Sequence, residues 1–106
     1  MTNSMKHLRC ESHGVVRLVT FDRPEKKNAL SNEMRSQLCG LLADLDADET
    51  VKAIVLTGTD PAFTAGVDFT DIDPAFKASE AQFSVNPGRA LRAMSTPVLC
   101  AVTGAC

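Results

Sequence analysis

The sequence predicts an α/β fold, and three observations carry that prediction. Residues 15–21 are rich in β-branched and aromatic side chains, and 51–57 in β-branched ones, the composition of strands. Between them, Met34, Leu38, Leu41, Leu42 and Leu45 recur at the spacing of one helix face. Residues 98–102 are apolar throughout, the pattern of a strand covered on both faces.

In chain order, residues 1–13 alternate polar, basic and small side chains and read as a flexible lead-in, with the domain spanning 14–106. The first strand stops at Asp22-Arg23-Pro24, because proline cannot donate to a ladder. Residues 22–30 form a loop carrying Lys26 and Lys27. Ser31 suits an N-cap, and Glu33 places an anion in the first turn, where the helix dipole favours it. The helix should run over 32–46; Gly40 weakens it without ending it. Gly58 closes the second strand, and 59–73 is a long loop. Residues 74–82 are weakly helical. Pro87 suits the first turn of a short helix over 87–94, with Leu91 and Met94 on one face. Pro97 opens the last strand, and Thr103-Gly104 begins a turn. Cys106 follows directly on what reads as a buried strand, so the expectation is the N-terminal part of a longer protein, or a truncated gene product.

With 106 residues the chain holds one domain. Its 44% apolar and 23% charged residues are the balance of a soluble globular protein. A net charge of -2 lacks the basic footprint of a nucleic-acid binder, and the absence of Trp and Tyr removes a base-stacking platform. No apolar run approaches the roughly 18 residues that span a bilayer, and no apolar segment follows the N-terminus as in a secretory signal. Cys10, Cys39, Cys100 and Cys106 form no C-x-x-C pair, and without an export signal the expectation is reduced thiols in the cytoplasm, with Cys39 and Cys100 as small core residues. His7 and His13 lie far from three of the cysteines, so no metal site is expected. Asp44, Asp46 and Asp48 resemble the start of a calcium loop, but Glu49 and Val55 stand where Gly and Glu are required. Phosphate-loop, dinucleotide-binding, nucleophile-elbow and zinc-protease signatures are absent.

The informative stretch is 58–69, which follows a strand and sets small residues around Gly66. Small residues let a ligand approach the backbone, where amide groups can bond an anion or a carbonyl oxygen. Alone, the stretch also suits an ordinary surface turn. Three further segments accompany it: Arg23-Pro24-Glu25-Lys26-Lys27-Asn28-Ala29-Leu30, Ile54-Val55-Leu56-Thr57-Gly58, and Pro97-Val98-Leu99-Cys100-Ala101-Val102-Thr103-Gly104. Together with Ala62-Phe63-Thr64-Ala65-Gly66-Val67-Asp68, in this order, they resemble the enoyl-CoA hydratase/isomerase (crotonase) family over nearly all of 15–106.

The resemblance implies the N-terminal portion of a spiral of β-β-α turns that assembles as trimers or hexamers and binds acyl-CoA thioesters. CoA would be part of the substrate, with no separate cofactor. It implies an oxyanion hole in which the Val67 backbone N–H is one donor, stabilising a thioester enolate. Ala65, Gly66, Val67, Asp68 and Phe69 would line the CoA crevice, with Lys27 and Ala29 in the loop that crosses it. Hydration or double-bond isomerisation of an enoyl-CoA is the implied reaction. Thr64, Phe69 and Thr103 depart mildly from the family's pattern. The family's second donor and its acid/base carboxylates fall beyond Gly104, outside this sequence. The competing expectations are therefore a catalytically inactive crotonase-like fragment keeping part of the crevice, and an unrelated small α/β interaction domain.

Overall fold

A computed structural model describes residues 5–66 and 87–102. β1 (Leu8–His13) and β2 (Val16–Phe21) form an antiparallel hairpin in which Leu8 faces Phe21 and His13 faces Val16. Gly14, at φ 63°, supplies the left-handed residue of the tight turn between them. This corrects the reading of 1–13 as a flexible lead-in: residues 8–13 are a strand. Leu8 and Cys10 point into the core while Arg9 and Glu11 face out. Two inward side chains give a weak signal, and the strand is held by its pairing with β2. The ladder continues past β1, where Asp22 N–H donates to the His7 carbonyl at 2.8 Å.

A 3₁₀ turn over Pro24–Lys26 leads into α1 (Asn32–Ala47). Ser31 caps the helix as expected, its Oγ accepting from Met34 N–H at 3.1 Å. The helix buries Met34, Leu38, Leu41, Leu42 and Leu45, the face read from the spacing. Burial of each such leucine contributes about 2 kcal/mol. α1 is the crossover between β2 and β3 (Ala53–Gly58), which pair in parallel from Val16↔Ala53 to Phe21↔Gly58. The core lies between the helix and the sheet and includes Leu8, Val19, Phe21, Ile54, Leu56 and Phe63.

α2 (Pro87–Ala93) and β4 (Val98–Ala101) complete the described elements. β4 pairs in parallel with β3, giving the sheet order β1-β2-β3-β4. The turn between α2 and β4 is fixed by α1: Asp46 Oδ1 accepts from Ser95 N–H at 3.1 Å and Thr96 N–H at 2.9 Å. Hydrogen bonds from Thr96, backbone and side chain, and to a lesser degree from Ser95 N–H hold the Asp46 carboxyl below the usual carboxylate range.

β4 is the outer strand among the described residues, so its apolar side chains are not covered on both faces as its composition suggested. Leu99 is 62% exposed, Val102 just past the strand is 51% exposed, and Cys100 is exposed rather than a core residue. Cys10 is buried and Cys39 half-buried, and burial pushes both thiols up. The helix expected over 74–82 lies outside the described residues. Among those described, no helix is long and apolar enough to cross a membrane.

Candidate functional site

The loop after β2 and the loop after β3 leave the same end of two adjacent parallel strands. Phe21 and Gly58, the last residues of those strands, are partners in the register. In open α/β sheets that end is where ligands bind. Thr59 N–H donates to the Phe21 carbonyl at 3.0 Å, keeping the chains together one residue past the ladder. Beyond that point side chains take over.

Asn28 does most of this work. It is fully buried and adopts φ 59°, directly after Lys27 at φ 52°. Two successive left-handed residues reverse the chain, and asparagine tolerates that conformation better than most side chains. Its Nδ2 donates to the Thr59 carbonyl at 2.8 Å and to the Ala62 carbonyl at 2.6 Å. Its Oδ1 accepts from Arg23 N–H at 2.8 Å, and the Thr59 hydroxyl, 3.2 Å away, shares its proton between Oδ1 and the Phe21 carbonyl. Every polar position of the amide is thereby used, as a buried amide requires.

The two loops are also joined nearer their tips. The Thr64 hydroxyl donates to the Asn28 carbonyl at 2.7 Å and accepts from Gly66 N–H at 3.1 Å. Leu30 N–H donates to the Gly66 carbonyl at 2.7 Å. The first loop is braced internally, with Asn28 N–H on the Arg23 carbonyl at 2.9 Å and Arg23 Nη1 on the Ala29 carbonyl at 3.0 Å. Below them, the Phe21 and Phe63 rings pack at 5.4 Å and tilt by 51°.

Gly58 sits where the loops approach most closely. A Cβ there would collide with the Phe63 carbonyl and lie 2.7 Å from the Ala62 carbonyl and 2.9 Å from Asn28 Nδ2. The glycine is thus required by the polypeptide's own packing.

Of the residues singled out from sequence, Lys27, Ala29, Ala65 and Gly66 fall on these two tied loops. Lys27 and Ala65 are exposed, while Ala29 and Gly66 are partly buried. Gly66 has φ 92°, a conformation that glycine adopts at no steric cost. Val67, Asp68 and Phe69 lie outside the described residues. Asn28 and Thr59 carry the junction and had no assigned role in the sequence. Their signal was an asparagine beside a proline-led turn, and it named no partner.

The family model described as Enoyl-CoA hydratase/isomerase matches residues 11–106. The chain is 38% identical over 96 residues to the 1,2-epoxyphenylacetyl-CoA isomerase of Escherichia coli K12, covering 84% of this chain and 37% of that protein. It is 38% identical over 81 residues to a 4-chlorobenzoyl coenzyme A dehalogenase of an Arthrobacter species, covering 76% of this chain and 29% of that one. The crystal structure of enoyl-CoA hydratase from Mycobacterium tuberculosis H37Rv matches with a TM-score of 0.74 at 33% identity, over 93% of this chain and 40% of that one. The chain therefore spans well under half the length of the proteins it matches.

Proposed function

The chain belongs to the enoyl-CoA hydratase/isomerase family, and from that membership we propose that its two tied loops form part of an acyl-CoA thioester site. The observation that carries this reading is the fixing of Gly66 from both sides. Its N–H is held by Thr64 and its carbonyl by Leu30, one residue before the proposed oxyanion donor. In this reading the Val67 N–H bonds the thioester oxygen. A preorganised backbone donor stabilises charge that develops there in an enolate-like intermediate. Ala65, Gly66, Asp68 and Phe69 line the CoA crevice. Ala29 and Lys27 face it from the other loop, where Lys27 meets phosphate as a point charge. CoA belongs to the substrate, and no separate cofactor is invoked.

The reaction proposed is hydration or double-bond isomerisation of an enoyl-CoA, by a trimeric or hexameric protein in the cytoplasm. Relatives named as an isomerase and a dehalogenase are both 38% identical to this chain, so the chain supports thioester binding more directly than any one reaction. Turnover also calls for a second donor and acid/base carboxylates, which the family resemblance assigns to positions beyond Gly104.

Calorimetric titration with crotonyl-CoA and with free CoA tests the reading on this chain. Expected is binding of both, with the thioester preferred. Val67→Pro, which removes the N–H, should erase that preference by about tenfold, the scale of one hydrogen bond. Absence of binding to either ligand would overturn the proposal.

A further inference from the structure

We infer that Thr64 is a positioning residue for thioester recognition: its hydroxyl orients the Gly66 peptide units and thereby the amide donor that follows. This rests on the function proposed above. The argument starts from the flexibility of glycine. Gly66 has no side chain to restrict it and stands at φ 92°, so its neighbouring peptide planes are the easiest in the loop to rotate. A donor carried on such a plane is preorganised only if something outside the glycine holds it.

Two contacts do so. Leu30 N–H, at 2.7 Å, holds the Gly66 carbonyl, which belongs to the same peptide group as the nitrogen of residue 67. The Thr64 hydroxyl holds the preceding plane through Gly66 N–H at 3.1 Å. A hydroxyl has one proton, and here it is committed to the Asn28 carbonyl at 2.7 Å. The oxygen lone pairs are therefore left facing Gly66 N–H, and the hydroxyl cannot turn away without losing both bonds. Thr64 also transmits the position of Asn28, fixed in turn by Thr59 and Ala62, to Gly66. Since only the hydroxyl does this, serine should serve as well as threonine, whereas isosteric valine should not.

The test compares crotonyl-CoA with free CoA on the intact chain and its Thr64→Val, Thr64→Ala and Thr64→Ser variants, with backbone amide exchange at Gly66 followed by NMR. Expected is about a tenfold loss of crotonyl-CoA affinity in Thr64→Val, with free CoA affinity retained, faster exchange at Gly66, and restoration of both by Thr64→Ser. Thr64→Ala carries the same comparison if the valine variant does not fold. Equal weakening of both ligands would reduce Thr64 to a structural role and overturn the inference. So would unchanged thioester preference in Thr64→Val. Both results leave the thioester site standing. Failure of the parent chain to bind either ligand would instead remove the site and this inference with it.

Discussion

The Asn28 side-chain amide donates to the Ala62 carbonyl at 2.6 Å, closing a contact across 34 residues of sequence. The same nitrogen reaches the Thr59 carbonyl, and the amide oxygen receives Arg23 N–H. Replacing Asn28 with alanine would take this partner from three backbone groups, one buried at Ala62 and two part-buried at Arg23 and Thr59. Each such group costs about 1–3 kcal/mol, part of which inflowing water offsets. Asn28→Ala should lower unfolding stability by about 3 kcal/mol in urea denaturation. A loss under 1 kcal/mol would show that the junction contributes little.

Gly58 and Gly40 should respond in opposite directions to alanine. At Gly58 the new methyl group meets two backbone carbonyls and the Asn28 amide, none of which can yield without opening the junction. Overpacking of this kind costs about 1–3 kcal/mol. At Gly40, on the exposed side of α1, a Cβ meets nothing within 4 Å. Helix propensity then favours alanine by up to about 1 kcal/mol. Thermal midpoints of the two variants against the parent chain check this pair; the same sign for both would count against the packing described.

The carboxyl of Asp46 gives stability a defined acid dependence. Its folded pKa lies below its ordinary value, because the carboxylate accepts from Thr96 and Ser95. A depressed folded pKa means the contribution is present above the unfolded value, near 4, and is lost as pH falls through the folded one. Asp46→Asn should therefore be less stable than the parent at pH 7, with the gap closing below about pH 4. Denaturation midpoints across pH 2–8 would reveal it. A gap that persists unchanged in acid would mean the anionic charge is not what matters.

The regular elements were legible in the sequence where the pattern was local. The apolar face of α1 and its Ser31 cap follow from spacing and one hydroxyl, and the structure reproduces both. β1 escaped because only Leu8 and Cys10 turn inward, and the strand depends on a partner later in the chain. The exposure of β4 escaped for the converse reason: composition reports what a strand can bury, and cover depends on neighbouring elements. Lys27, Ala29, Ala65 and Gly66 were singled out through their motifs, and they fall on the two tied loops. Asn28 was not assigned, since its partners at 59 and 62 are chosen by the register of β2 against β3.

The asymmetry of the Asn28 contacts bears on how this chain tolerates genetic drift. Its amide nitrogen reads backbone carbonyls at 59 and 62, which every amino acid supplies. Selection on this tie therefore weighs heavily on position 28 and lightly on position 62, whose side chain it never consults. In the second loop identity is instead constrained at Thr59 and Thr64, whose hydroxyls meet Asn28, so position 62 can change while its neighbours are held.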